Sequence, residues 1–328
     1  MRTAVLLLVL GLGACESPHW SAPVSGLDRI VLSVWGSAPN DVWFAGGGLG
    51  SGPGALAMHF DGSAFVDLPS GSQATLWWVF GLAPNSVWFC GEKGTLLHWD
   101  GMAFQSFSSP TDKTLYGLWG SGPNDLWAVG GEPDASSVLL HFDGLKWATA
   151  TGAPALGGAY FKVWGSAADD VFVVGQGGTI LHFDGMSWSP MASGVGPFVT
   201  LLTVAGRARD DVYVVGGLGN GVALHYDGKS WQPVAGLNVG TISALAALAV
   251  DATGGVVVGG LAGVKFRRPS GAWLDESRTP PRSSDFHGAW MAGPDNLFLV
   301  GGNYIAPAGA PRSGIIAHYG YDLPTARR

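Results

Sequence analysis

One pattern returns seven times along this chain of 328 residues. Three clear copies read Val34-Trp35-Gly36-Ser37-Ala38-Pro39-Asn40-Asp41-Val42-Trp43, Leu118-Trp119-Gly120-Ser121-Gly122-Pro123-Asn124-Asp125-Leu126-Trp127 and Val163-Trp164-Gly165-Ser166-Ala167-Ala168-Asp169-Asp170-Val171-Phe172; a fourth runs from Trp290 to Phe298. Degenerate copies begin at Phe80, Ala205 and Leu248. Each unit has a second half of the form Leu97-His98-Trp99-Asp100-Gly101, followed by an aromatic such as Phe104, Trp147 or Trp188. A period of about 42 residues holding four short apolar runs, each too short for a helix, is the length of one propeller blade. Helical repeats of this period would space their apolar residues by three and four and would not tolerate 53 glycines. The predicted fold is therefore all-β: a seven-bladed propeller of four-stranded antiparallel blades.

The punctuation has a mechanical reading. In Ser-x-Pro-Asn-Asp the proline presets φ and the Asn or Asp closes the turn between the first and second strands. Asp-Gly closes the turn between the third and fourth, where glycine accepts a positive φ. A hydrophobic content of 47% with only 12% charge fits a large core with many tight turns rather than a disordered chain. The net charge of −7 is spread out, and no basic run points to nucleic acid.

The seventh copy stops after Ala317-His318-Tyr319, one strand short. The missing strand stands at the other end, where His19-Trp20-Ser21-Ala22-Pro23-Val24 matches Ser230-Trp231-Gln232-Pro233-Val234. Trp20 to Val24 is expected to complete the last blade and close the ring, which leaves only short, protected edges. The domain reading is residues 1–14 signal peptide, 15–19 lipidated cysteine and tether, 20–320 propeller and 321–328 C-terminal tail.

The signal reading rests on Arg2, a short apolar run from Val5 to Leu10, and Leu12-Gly13-Ala14-Cys15, which resembles a bacterial lipobox. The run is too short to cross a bilayer as a mature helix. Cys15 is then the lipidation site, and Glu16 after it favours the outer membrane. The expected localisation is export, with lipid anchoring to the outer membrane or cell surface. Cys90, the other cysteine, is read as a small buried hydrophobe.

Propeller strands alternate in direction, so both repeated turns lie on one face, here called the bottom. The inter-blade links and the loops between second and third strands lie on the top. Bottom turns repeat closely and top loops vary, and variable loops on a rigid scaffold are where binding concentrates. The closing strand starts at the bottom, which puts Cys15 below that face and is expected to bring Arg327 and Arg328 near the same membrane.

What recurs in every blade is scaffold. His59, His98, His141, His182, His225 and His318 occupy one repeat position and form a ring, not a tetrahedral site; each is expected to hydrogen-bond within its blade. No catalytic, metal or cofactor site is assigned. Residues that break the repeat are Lys93, Glu132, Asp134, Tyr304 and Arg312, taken as candidate ligand-face residues, together with Glu276 and His287. Trp78 and Tyr304 are candidates for stacking on a sugar.

The block Gly178-Thr179-Ile180-Leu181-His182-Phe183-Asp184-Gly185-Met186-Ser187-Trp188 resembles the strand–turn–strand block of BNR-type repeats and of photosystem II assembly-factor propellers, and it is similar to tectonin repeats. It departs from the sialidase Asp-box because glycine follows Asp184 directly. The whole unit most resembles tandem-repeat propeller lipoproteins of myxobacterial type, from about residue 19 to 320. The resemblance is specific for the fold; the variable-loop face and the anchor together lead us to expect a non-enzymatic, monomeric envelope lipoprotein that binds or scaffolds another envelope protein. The alternatives are a lectin-like propeller that binds a glycan and a glycan-processing hydrolase; for a sialidase, the arginine triad, tyrosine nucleophile and acidic partners have no match here.

Overall fold

The computed structural model describes residues 17–49, 52–154, 157–237, 244–283, 285–307 and 310–328. The signal segment and Cys15 lie outside the described residues. Seven antiparallel sheets of four strands each form the propeller. The innermost strands are Ile30–Ala38, Leu76–Ala83, Thr114–Gly122, Tyr160–Ala167, Leu201–Ala208, Leu245–Val250 and Asp285–Gly293, for blades 1 to 7.

Blade 7 is assembled from both ends of the chain. The strand His19–Leu27 pairs antiparallel with Gly314–Gly320, from His19 opposite Gly320 to Leu27 opposite Gly314. Trp20 and Val24 are buried in the process. The closing strand is thus longer than the Trp20–Val24 core read from the repeat. The C-terminal tail crosses to the neighbouring blade. It turns up the flank of blade 1, where Arg327 bridges Phe65 in parallel and Arg328 N donates to Phe65 O at 3.0 Å. This gives the outer strand of blade 1, Phe65–Asp67, a further partner and covers its edge. The backbone of Arg327 and Arg328 is therefore committed to a sheet edge, while both residues are exposed beside the Asp61-Gly62 turn.

The core divides into seven clusters, each shared by two neighbouring blades; Trp127 and Val129 of blade 3, for instance, pack with Val171 and Val173 of blade 4. Each sheet is buried on both faces, which is why second strands such as Val42-Trp43-Phe44-Ala45 are continuously apolar. The repeated Trp-Gly pair has a packing reason. Trp35 lies over Gly81 of the next blade, Trp119 over Gly165, Trp164 over Gly206, and Trp290 over Gly36 across the ring closure; any Cβ on those glycines would meet the indole. Blades 5 to 7 solve the same contact with other volumes. Strand register makes Ala249, not Leu248, the blade 6 equivalent of Trp35, a one-residue correction to the repeat alignment. Ala205 then shares a cluster with Val250, and Ala249 one with Met291. A small residue replaces tryptophan where a large one replaces glycine.

The bottom turns behave as the sequence implied. Asp61 Oδ1 accepts from Ser63 N and Ala64 N, each at 2.8 Å, and Gly62 has φ +85°. Asp100, Asp143, Asp184 and Asp227 repeat this arrangement. The hydrogen bonds from Ser63 and Ala64 pull the Asp61 carboxyl down to about 2.

The histidines are structural where the contacts are described. His59 stacks on Trp43, with ring centroids 4.3 Å apart, and its Nε2 meets Asp41 Oδ1 at 2.5 Å. His141–Asp125, His182–Asp170 and His225–Asp211 match it, and His98 meets Ser86 instead. Ser37, Ser121 and Ser166 donate to the far oxygens of Asp41, Asp125 and Asp170. The aspartate thus stands between serine and histidine, an order that cannot activate the hydroxyl as a nucleophile. His318 departs from the pattern: both ring nitrogens are buried and have no hydrogen-bond partner.

Candidate functional site

The inner strand of every blade carries a bulge near its top end. Register slips by one residue at Leu32, Trp77, Tyr116, Phe161, Leu202, Ala246 and His287. A bulge re-aims one side chain and frees its carbonyl from the ladder. Three freed carbonyls are taken by a neighbouring blade. Lys162 Nζ donates to Tyr116 O at 2.7 Å, His287 Nδ1 to Leu32 O at 2.8 Å, and Thr203 Oγ1 to Ala246 O.

Six of the bulged residues, from Trp77 to His287, line a cavity of about 370 Å³ that opens on the top face around the ring axis. The volume is within the range of small-ligand sites. Its wall is asymmetric. On one side runs an aromatic arc: Phe161 against Tyr116 (5.2 Å between ring centroids), Tyr116 against Trp77 (4.9 Å), and Trp77 against His287 and Tyr304 (5.7 and 6.0 Å). Opposite lie Leu202, Leu218, Ala244, Ala246 and Leu261. Leu218, in this lining, is 68% exposed; Phe198 and Ile305, in other top-face segments, are 97% and 64% exposed.

Lys162 is the one lysine among the described residues that line this cavity and is only 3% exposed. Besides Tyr116 O, its Nζ lies 4.4 Å from the Trp78 ring centroid, a cation–π contact. Burial lowers its affinity for the proton to about 7. Burial, reinforced by the Lys162 charge, also pushes His287 down to about 4, so its ring is neutral near pH 7. With Nδ1 donating to a carbonyl, Nε2 of the neutral ring is an acceptor. Cys90 is fully buried, donates to Leu115 O and is pushed up to about 12 by burial, as its reading as a core residue requires.

Of the five candidate ligand-face residues, Asp134 and Tyr304 line the cavity. Asp134 is latched to the next blade: its Oδ1 accepts from Gln176 Nε2 at 2.7 Å and its N–H donates to Gln176 Oε1 at 2.8 Å. Glu132, two residues away, forms an exposed ion pair with Lys113 at 2.9 Å. Arg312 is turned inward, donating to the carbonyls of Asn303 and Tyr304 at 3.3 and 3.1 Å, and shapes its own loop. Lys93 lies away from the axis, in a groove with Ser70 and Thr111. Trp78 sits below the cavity, in the lower channel, and not on an open loop. Glu276 is a clasp: it accepts from Trp20 Nε1 at 2.8 Å and pairs with Arg267 at 3.0 Å. Sequence reasoning found His287 as a repeat breaker but missed Trp77, Tyr116, Phe161 and Lys162. All four stand two or three residues before the aligned position of their blade, in two columns that have no consensus among the copies.

No protein-family model and no curated protein sequence matches the chain. Solved structures do. A structure titled YCF48 bound to D1 peptide is 15% identical, covering 94% of this chain and 96% of that one, with a TM-score of 0.64. The WD40 β-propeller domain of Doa1 is 10% identical, with 94% and 99% covered and a TM-score of 0.64. The GH74 xyloglucanase from Xanthomonas campestris is 14% identical, with 87% of this chain and 52% of that one covered and a TM-score of 0.60. At these identities the likeness establishes the propeller fold.

Proposed function

We propose that this propeller is a lipid-anchored cell-envelope protein that binds a protein partner through its top face. The observation that carries the reading is the axial cavity, a concave, largely apolar site built from the least repetitive positions of the chain, on a face that also exposes Phe198, Leu218 and Ile305. The solved YCF48 neighbour holds a peptide, which supports a polypeptide as the class of occupant. Hydrolysis of a glycan is disfavoured at this cavity, because glycosidases work with two carboxylates and Asp134 is the one carboxylate among the described residues that line it.

The bottom face supports the anchor. The closing strand begins there at His19, four residues after Cys15. Met102, Leu145 and Met186, the tips of three successive Asp-Gly turns, are 86%, 86% and 92% exposed. They would rest on the bilayer that holds the lipid. Mass spectrometry of the mature N-terminus tests lipidation, and an unmodified Cys15 refutes the anchor. A photo-crosslinker placed at Leu218 should yield a protein adduct in intact envelopes that one placed at Met186 does not. Equal adducts from both faces, or a glycan-array ligand with no protein adduct, would overturn the proposal.

A further inference from the structure

The axial cavity contains a charge that its own surroundings do not neutralise. The contacts described for Lys162 Nζ are a carbonyl and an indole face and include no carboxylate, although the residue is 97% buried. An ammonium withdrawn from water without a counter-ion is costly, and a carbonyl and an indole face offset only part of that cost. An ammonium has three N–H bonds, and Tyr116 O takes one of them. The ammonium thus has N–H bonds to spare, and the rest of the lining is largely apolar or aromatic. The site therefore lacks one thing, a small acceptor of single negative charge. A phosphate would call for more than one cation or a nest of backbone N–H groups, and the lining shows a single lysine.

We propose that the axial cavity is a carboxylate-recognition site, in which Lys162 receives the anionic head of a ligand whose flat apolar body lies against Trp77, Tyr116 and Phe161. The chemistry is that of an aryl carboxylate, whether free or as the aromatic C-terminal residue of a chain. The inference deepens the reading of the top face as a binding face. It does not depend on the partner being a protein.

The state of Lys162 makes the proposal directional in pH. In the empty site the amine loses its proton near 7. The groups that face it do not titrate between pH 6.5 and 8.5: burial holds His287 near 4 and Cys90 near 12 and raises Tyr116 and Tyr304 above the usual phenol value of 10. Asp134, at the rim, is engaged by Gln176. Binding should thus weaken as pH rises from 6.5 to 8.5, by about tenfold or more, because the free protein no longer carries the charge that the bound carboxylate requires.

The test uses the mature protein and titrations followed by tryptophan fluorescence and calorimetry. The probes are indole-3-acetate and the peptide Gly-Gly-Trp with a free C-terminus, each beside its neutral amide. The carboxylates should bind at least tenfold more tightly than the amides, and Lys162→Met should abolish both that preference and the pH dependence. Binding of the free acid with no peptide binding assigns a small-molecule ligand; tight peptide binding assigns a chain terminus. Because Lys162→Met removes an unpaired buried charge, the variant should melt at the same or a higher temperature than the parent. A lysine whose role is to tie blades 3 and 4 together would give the opposite result. Equal affinity for acids and amides, or capture of an aldehyde by the amine with no carboxylate binding, overturns the proposal. Should the carboxylates fail while the Leu218 crosslink persists, the top face binds its partner without this site.

Discussion

Closure of the ring should depend on Glu276, a residue that no other blade repeats. Its carboxylate accepts from the Trp20 indole of the closing strand and from Arg267 of blade 6, and the Arg267 guanidinium lies 3.7 Å from the Tyr319 ring centroid. Arg267 is 5% exposed. Glu276→Ala leaves that cation buried and unpaired, a change worth about 3–5 kcal/mol, and orphans the indole N–H for about 1 kcal/mol more. With about 2.1 cal/mol/K of unfolding entropy per residue, a domain of roughly 300 residues loses about 1.5 °C per kcal/mol. Tm should therefore fall by about 6–9 °C, and proteolysis should release the segment 17–29 before any other. The double variant Arg267→Met/Glu276→Leu should recover most of the loss, because paired removal leaves no uncompensated charge. The measurements are differential scanning calorimetry and timed limited proteolysis with mass analysis of the first fragment. A Glu276→Ala protein within 0.5 °C of the parent, or a double variant no better than the single, would refute the clasp.

Other outcomes follow from the same geometry. Gly165→Val should cost about 1–3 kcal/mol by overpacking against Trp119, and Trp119→Ala in the same chain should relieve part of it; strict additivity in a denaturation cycle would argue against the contact. Lys93 holds φ +57° where blade 4 has Gly177 at +70°, so Lys93→Gly should stabilise the fold by about 1 kcal/mol, measured by urea midpoint. His287 and His318 are pushed down to about 4 by burial, so the unfolded chain binds their protons first and stability should rise with pH from about 4 to 6.5. Each shift corresponds to about 3 kcal/mol, and His318→Leu should flatten that slope in denaturation curves taken at pH 4.5 and 6.5. The turn aspartates act lower: Asp61, at about 2, contributes stability that is present above the usual carboxyl value and is lost as pH falls from about 4 to 2. Asp61→Asn should weaken that acid limb.

The fold was legible because a propeller repeats its chemistry. Ser-x-Pro-Asn-Asp, Leu-His-aromatic-Asp-Gly and the displaced Trp20 copy each name a strand or a turn, and recurrence separates signal from accident. Blade 6 was misaligned by one residue because its turn is built differently. Asp251 Oδ1 accepts from Thr253 N and Gly255 N in place of the Ser–Asp pair, and Arg267 stands where other blades have histidine. The cavity was only half legible. Top loops were correctly placed as the irregular face, which brought in Asp134 and Tyr304. The aromatic arc escaped because it lies inside strands, where an alternating pattern assigns alternate side chains to the core. A bulge shifts that alternation by one and leaves no local mark in the sequence. The mark is in the comparison of copies: Leu32, Trp77, Tyr116, Phe161, Leu202, Ala246 and His287 form one column with no consensus.

The pairing of His19–Leu27 with Gly314–Gly320 also sets an order of events. A polypeptide made from its N-terminus must hold its first strand unpaired until about 300 residues later, when the partner emerges. Bringing those ends together costs about 3–4 kcal/mol more in chain entropy than closing a hairpin of a few residues. Until it happens, six blades can be complete while the seventh presents Gly314–Gly320 as a bare edge. The closing segment of a second chain fits that edge as well as the first chain's own, so domain-swapped dimers are the characteristic misassembly of this architecture, and their yield should rise with concentration during refolding.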